Sequence, residues 1–153
     1  MTIDLSLVYI ERCDKETEEI LEKESASFLN TSISYFKNHL NEFLYIQSPV
    51  FDEIKVDAIS MEVDDVFGTY MALFGLKVQK KHTKTIKNFL EQHLHTNSIK
   101  NYSALFAGDE GLWEINLPLN FIEGFQEDMT IEQALFLTCD FIQKLVQQIE
   151  ISE

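Results

Sequence analysis

The segment from Thr130 to Glu150 constrains the fold of this chain more than any other. Its sequence, TIEQALFLTCDFIQKLVQQIE, places apolar residues at the three- and four-residue spacing of an amphipathic helix. Thr130 followed by Gln133 is the signature of a capping box, which satisfies backbone N–H groups in the first turn of a helix. The sequence therefore predicts a long C-terminal helix with one wide apolar stripe, formed by Ile131, Ala134, Leu135, Phe141, Ile142, Leu145 and Ile149.

A β-hairpin is predicted just before this helix. Residues 102–107 and 112–117 have strand character, and the four residues GDEG between them match a hairpin loop in length and type. Along the second strand, apolar and polar side chains alternate, which puts Trp113 on an apolar face and Glu114 on a polar one. The glycine-rich acidic stretch is therefore interpreted as a turn, although it first suggests a ligand-binding loop.

Three other segments are predicted to be strands. Residues 3–9 alternate between apolar and polar side chains, which is the pattern of a half-buried strand. Residues 54–63 show the same alternation with a slip in phase, which indicates either a β-bulge or a strand that is apolar on both faces at its end. Residues 67–78 are apolar on both faces, so we expect them to form the central strand of the sheet.

Two more helices complete the predicted fold. Asp14 is a good N-cap, and apolar residues at helical spacing continue to about Leu44, with a kink or a break expected at residues 30–32. A short amphipathic helix is expected over residues 82–95. The prediction is a single α+β domain over residues 1–153, with one antiparallel sheet of about five or six strands. A long N-terminal helix, a short middle helix and the C-terminal amphipathic helix pack with this sheet.

The charge of the chain limits its partners. It has 26 acidic and 12 basic residues, which gives a net charge of −14. Such a charge argues against non-specific binding to nucleic acid or to an anionic membrane. The two cysteines lie far apart, and the chain shows neither a signal-peptide pattern nor an apolar run long enough to span a membrane. We therefore expect a cytoplasmic protein.

No sequence motif points to a catalytic or metal site. The histidines and cysteines lack the spacing of metal ligands, and no nucleophile elbow, phosphate loop or dinucleotide fingerprint is present. Acidic pairs such as Asp64 with Asp65 lie at turn signals, where solvated carboxylates are the simpler interpretation. We expect no catalytic residue, no metal and no cofactor.

Lysines are concentrated in residues 77–100. This segment holds half of the 12 basic residues, and Glu91 is its only acidic residue. It is either a solvated helix face or a contact zone for an acidic element, which includes the acidic surface of a second subunit. The lysines are Lys77, Lys80, Lys81, Lys84, Lys87 and Lys100.

After Asp14 the predicted order of elements is a helix, two or three strands, a helix, a two-stranded hairpin and a long helix. In this order, and in size and acidity, the chain resembles the class I chaperones of type III secretion and the related YbjN-like proteins. The closest segment, residues 102–150, combines a hairpin with an acidic turn, the strand WEINLPL and a capped helix. The predicted strand at residues 3–9 departs from the family pattern. The resemblance implies a small cytosolic homodimer that binds peptide segments, without enzymatic activity and without catalytic residues.

The first function hypothesis is a non-enzymatic protein-binding domain of the chaperone or adaptor type. It would bind a protein partner or a second copy of itself, as a homodimer, through apolar side chains of its first and last helices. Acidic rims would orient the partner and speed its association. The candidate partner-binding residues are Phe36, Phe43, Phe136, Leu137 and Phe141.

Two alternatives stay open. A small-molecule-binding protein or an enzyme would have a pocket on the sheet face with a few converging polar groups. The candidate residues for this pocket are Tyr70, Phe74, Tyr102, Trp113 and Glu114. An acidic decoy or immunity-type protein would block a basic partner, and the net charge of −14 is its only support.

Overall fold

Seven strands form one antiparallel sheet in the computed structural model, which describes residues 4–95 and 101–152. The strands are β1 (Tyr9–Asp14), β2 (Ile20–Glu24), β3 (Glu42–Gln47), β4 (Val56–Val63), β5 (Tyr70–Leu76), β6 (Ser103–Ala107) and β7 (Leu112–Pro118). Their order across the sheet is β2-β1-β3-β4-β5-β7-β6, so β2 and β6 form its edges. The α-helices of the described residues are α1 (Tyr35–Asn38), α2 (Thr83–His93) and α3 (Ile131–Ile151).

The α+β class, the single antiparallel sheet and the elements of the C-terminal half are confirmed. Helix α3 begins with the predicted capping box: Thr130 Oγ1 accepts a hydrogen bond from the Gln133 backbone N–H at 3.1 Å, and the Thr130 N–H donates to Gln133 Oε1 at 2.9 Å. Strands β6 and β7 form the predicted hairpin, with Ala107 opposite Leu112 at its closed end. The strand count of five or six is too low, because β1, β2 and β3 all join the sheet.

The predicted long N-terminal helix is wrong. The segment from Asp14 to Leu44 contains the β1–β2 turn, β2, a 3₁₀ helix (Ala26–Asn30), the four-residue helix α1 and the first half of β3. In the described part of the chain, the only long helix is α3. The predicted strand at residues 3–9 also differs, because Leu5–Leu7 is a 3₁₀ helix and β1 begins at Tyr9, while residue 3 lies outside the described residues.

Asp14 explains part of this error. Its carboxylate accepts hydrogen bonds from the backbone N–H groups of Glu16 and Thr17, both at 2.9 Å, as an N-cap would. The chain then turns back, because Glu18 adopts a left-handed conformation with φ 63° and β2 pairs with β1. The same aspartate hydrogen bonds therefore close a turn between strands as well as they would begin a helix.

Local hydroxyl contacts account for the absence of an α-helix between β2 and α1. The Ser25 and Ser27 hydroxyls lie 2.7 Å apart, and those of Ser32 and Ser34 lie 2.9 Å apart. Such short-range side-chain hydrogen bonds compete with a helical ladder. The backbone of this region consists mostly of turns, and it still buries its apolar side chains. Their burial therefore does not require an α-helix.

The sheet has a covered face and an open face. On the covered face, side chains such as Leu44, Ile59 and Ile115 are buried with Leu135 of α3 in one core cluster, which also holds the buried residues of α1 and α2. The side chains that alternate with them point to the opposite, open face, and its exposed or half-buried members are absent from this cluster. The open face is defined by Phe43, Tyr45, Ser60, Leu73, Leu105, Glu114 and Asn116.

Candidate protein-binding surface

A continuous row of side chains crosses the open face. Because opposite residues of antiparallel strands point to the same side, the strand register places these side chains next to one another across six strands. Within the row, Tyr45, Ser60 and Leu73 are half-buried and Asn116 is exposed. In strand order, the row consists of Glu11, Tyr45, Ser60, Leu73, Asn116 and Ser103.

Apolar side chains flank this row on both sides. Phe43 lies opposite Cys13 and is half-buried. Leu105 lies opposite Glu114 on the uncharged strand β6, and its side chain is 65% exposed. The open face therefore combines apolar contact area with access from solvent.

Two adjacent depressions with acidic borders lie on the open face. Their volumes are about 480 Å³ and 360 Å³, and they share Ser60 and Leu73 as lining residues. Phe43 lines the first and Tyr45 the second, so each depression has an aromatic wall. The carboxylates that line them are Glu18, Glu62, Asp65, Asp57, Glu110 and Glu114.

A β-bulge in β4 places one of these carboxylates. The register of β4 and β5 shifts between Val56 and Ile59, which confirms the predicted bulge and leaves Asp57 and Ala58 facing Gly75. Asp57 Oδ1 accepts hydrogen bonds from the backbone N–H groups of Gly75 at 2.8 Å and Ala58 at 2.6 Å. A Cβ atom at position 75 would lie 2.5 Å from Asp57 Oδ2, so only glycine leaves room for this carboxylate.

Lys15 links the β1–β2 turn to the border of the open face through an ion pair and a hydrogen bond. Its Nζ atom lies 3.1 Å from Glu62 Oε2 and donates a hydrogen bond to the Val63 carbonyl at 2.7 Å. Glu62 is thus neutralised locally. The other carboxylates of the two depressions form no ion pair among the described residues.

The titration behaviour of two open-face residues reflects burial and negative charge. Partial burial raises the pKa of Tyr45, and the nearby carboxylates of Asp57 and Glu11 raise it further. Burial also raises the pKa of the Cys13 thiol, with a smaller contribution from Glu11. Both groups are therefore neutral at physiological pH, and the charge of this face comes from its carboxylates.

The five predicted partner-binding residues do not form one surface. Phe36 and Phe141 belong to the core, with exposed fractions of 1% and 6%. Phe136 of α3 is exposed, and Leu137 is half-buried beside a cleft between α2 and α3. Only Phe43 lies on the open face.

The five residues of the alternative pocket are also separated. Tyr70, Phe74 and Trp113 are buried on the covered face, and the Trp113 indole N–H donates to the Gln79 carbonyl at 3.2 Å. Glu114 points to the open face, and Tyr102 is half-buried beside β6. Phe74 and Glu114 both line the second depression of the open face, but the five side chains do not surround a common cavity.

Sequence reasoning misses most of the open face. Residues 42–47, EFLYIQ, alternate between polar and apolar side chains as a strand would. Phe43 also fits the helical spacing of the apolar residues after Asp14, so the predicted helix included it. Leu73 was expected on the second apolar face of its strand, and only the structure shows that no core packs there. The signal for Tyr45 was present in the period-two alternation of this segment.

The described residues contain neither a metal-binding cluster nor a membrane-spanning helix. In residues 4–95 and 101–152, no group of three or more His, Cys, Asp and Glu side chains is placed to hold a metal ion. In the same ranges, no helix has the length and apolar character needed to cross a membrane.

Comparisons with known proteins give no family for this chain. It matches no protein-family model, and no curated protein or solved structure is significantly similar to it. The resemblance to class I type III secretion chaperones and YbjN-like proteins therefore stays a prediction.

Proposed function

We propose that this protein is a non-enzymatic binding domain that holds a segment of a partner protein against the open face. One observation carries the proposal: the apolar side chains of Phe43, Tyr45 and Leu73 lie half-buried outside the core, on the sheet face opposite the helices. Accessible apolar area with a polar border is typical of a protein-binding surface.

The carboxylates around the two depressions define the chemistry of the partner segment. A segment with apolar side chains and flanking lysines or arginines fits these borders. Its apolar side chains would pack on Leu73 and Tyr45, and its basic side chains would pair with Glu114 or Asp65. Opposite charges speed association and select the partner, while an acidic segment would be repelled. The proposed partner is therefore a basic, partly apolar segment of another protein.

This chemistry also bears on self-association. Two copies joined through their open faces would bring like-charged carboxylates together, which is unfavourable. The homodimer of the sequence analysis remains a prediction, and we do not propose this face as its interface. Light scattering after size exclusion measures the oligomeric state directly.

We further propose that the protein works in the cytoplasm without nucleic acid. Cys13 and Cys139 are free and buried, as is common for proteins of a reducing compartment. A net charge of −14 opposes binding to a polyanion.

Selection from a display library of random linear peptides tests the proposed function. We expect the wild-type protein to enrich peptides that combine lysine or arginine with apolar residues. The dissociation constant of an enriched peptide should rise about tenfold or more for Leu73→Lys, because the substitution removes apolar area at the centre of the row. Added salt should weaken binding as well, because the rim charges are exposed.

Phe136→Lys is the matched control. It is also an exchange of an accessible apolar residue for lysine, but it lies on α3, on the other side of the sheet. Circular dichroism and thermal unfolding verify the fold, and Tyr45→Lys replaces Leu73→Lys if that variant is unfolded. Enrichment of no peptide, or equal loss with Phe136→Lys, would rule out the open face as the binding surface.

A further inference from the structure

The two edge strands of the sheet differ in how well they are protected against pairing with another chain. Strand β2, ILEKE, carries Glu22, Lys23 and Glu24, and its pairing with β1 includes a register shift. Charged residues and bulges are devices that keep an edge strand from pairing with another chain. Strand β6, SALFA, carries no charge and no proline, and its pairing with β7 is regular over all five of its residues.

The outer edge of β6 is unpaired within the described residues. β6 has only β7 as a strand neighbour in the sheet order, and it is the last strand on its side. In an antiparallel edge strand, alternate backbone N–H and C=O groups point away from the sheet and can accept a further strand. An uncharged, regular edge of this kind is a template for strand addition.

Helix α2 runs beside this edge and forms a groove with it. A cavity of about 360 Å³ is lined by Lys87, Leu90 and Glu91 of α2 and by residues 102–105 of the β6 side. A second cavity of about 530 Å³ is lined by Lys80, Lys81 and His82 before α2, by Phe106 and Gly111 of the hairpin, and by Ile149 and Glu150 of α3. Both cavities therefore touch β6 and the segment that holds the lysines.

Lysines predominate along this groove, in contrast to the rest of the molecule, although Glu91 and Glu150 also line the two cavities. Lys80, Lys81, Lys84 and Lys87 are exposed, and none forms an ion pair among the described residues. Lys77 also lines the second cavity and lies 3.6 Å from Asp52. Lys100, the remaining lysine of the segment, lies outside the described residues.

We propose that the groove between β6 and α2 binds an extended acidic segment of a partner protein, which joins the sheet as an eighth strand. Its backbone pairs with the free edge of β6, and its carboxylates reach the lysines of α2. This site shares Leu105 with the open face but takes an acidic segment, and the proposal does not depend on the proposed function.

The spacing of the groups fits this arrangement. Lys84 and Lys87 lie three residues apart on α2, a rise of about 4.5 Å, and Lys80 precedes them in the 3₁₀ helix Lys80–His82. Alternate residues of an added strand, which point to one side, are about 6.6–6.8 Å apart. An acidic residue at every second position can therefore face successive lysines, while the residues between them lie beside the exposed Leu105 on the other side.

A synthetic peptide of alternating valine and glutamate, blocked at both ends and fluorescently labelled, tests the proposal by fluorescence anisotropy. The matched control peptide replaces each glutamate with glutamine, so that it is uncharged. We expect the acidic peptide to bind about tenfold or more tightly than the uncharged one. This order is opposite to the preference expected from the net charge of −14 alone.

Two controls separate strand addition from simple charge attraction. Two N-methylated forms of the acidic peptide keep its charge, and each is methylated at the alternate residues whose N–H groups point to one edge of the strand. The methylated nitrogens cannot donate hydrogen bonds, so the form that is methylated on the pairing edge should lose binding. On the protein, Lys87→Glu should weaken the acidic peptide about tenfold, whereas the same charge reversal at Lys144 of α3 should leave its affinity within about twofold. Thermal unfolding verifies that both variants are folded.

Several results would overturn the proposal. These are no binding of the acidic peptide, full binding of both methylated forms, and equal effects of Lys87→Glu and Lys144→Glu. Concentration-dependent self-association that Lys87→Glu abolishes would also overturn it, because the acidic β2 edge of a second copy would then be the occupant. None of these results depends on the open face, which the Leu73→Lys variant tests separately.

Discussion

Gly75 and Asp57 act together at one point of the sheet. The glycine leaves room for the Asp57 carboxylate, which in turn accepts the Gly75 backbone N–H inside the bulge. No other residue type can occupy position 75 without displacing this carboxylate. The pair thus holds an exposed charge in a fixed place on the open face, where a flexible side chain would otherwise move freely.

We predict that Gly75→Ala destabilises the protein by about 1–2 kcal/mol, because the new Cβ displaces Asp57 and leaves a backbone N–H without its acceptor. In an Asp57→Ala background, the same substitution should be neutral within about 0.5 kcal/mol, since no carboxylate is then displaced. Urea denaturation of the four proteins measures this coupling. Equal costs in both backgrounds would contradict the contact.

Cys139 lies in the core and has a strongly shifted titration. Burial raises the pKa of its thiol from 9.0 to about 12. Between these values, the unfolded chain loses the thiol proton while the folded chain keeps it. The stabilising contribution is therefore complete below pH 9.0 and is lost as the pH rises towards 12.

We predict that wild-type stability falls faster than that of Cys139→Ala above pH 9.0. The difference should be about 1.4 kcal/mol for each pH unit, because one proton is linked to unfolding. Denaturation curves at a series of alkaline pH values measure it, and the variant corrects for other titrating groups. Parallel pH profiles would show that the thiol is more exposed than the structure places it.

At the scale of elements, a polar cluster around Arg12 fixes the region that was predicted to be a long helix. The Arg12 guanidinium donates to Glu24 Oε2 at 2.7 Å, to the Tyr35 hydroxyl at 3.1 Å and to Glu42 Oε1 at 3.2 Å. Tyr35 also donates to Glu42 at 2.7 Å and stacks on His39 with ring centroids 3.9 Å apart. The only arginine of the chain thereby links β1, β2, α1 and β3.

We predict that Arg12→Met destabilises the protein by about 2–3 kcal/mol. Glu42 is 7% exposed and would remain buried without its cation, although the partial exposure of Arg12 and Glu24 reduces the cost. The double variant Arg12→Met with Glu42→Leu should recover most of this loss. Thermal and chemical unfolding measure both. A cost below about 0.5 kcal/mol for the single variant would mean that the cluster is solvated.

The sequence predicts elements well where the stabilising contacts are local. The Thr130 capping box and the GDEG turn each lie within a few residues, and both occur as expected. The path from Asp14 to Leu44 depends on contacts between distant residues, such as Arg12 with Glu42 and β1 with β3. Because helical spacing of apolar residues carries no information about these partners, it indicated a helix where strands form.

At the scale of the whole molecule, the sequence did not show which face of the sheet stays uncovered. Leu73 and Trp113 are both apolar strand residues, yet the first lies outside the core and the second is buried within it. This difference depends on where the helices pack, and the buried apolar residues of α1, α2 and α3 all join the core on one side. The same asymmetry separates the acidic open face from the lysine-lined groove between β6 and α2.

Methyl NMR of the protein during titration with a peptide enriched by the display selection tests the binding of a partner to the open face most directly. The account predicts that the methyl signals of Leu73 and Leu105 shift or broaden as peptide is added. Those of Leu135 and Leu145, buried in α3, should stay unchanged. Shifts confined to Leu137 and the α2–α3 cleft, with no change at Leu73, would contradict the account.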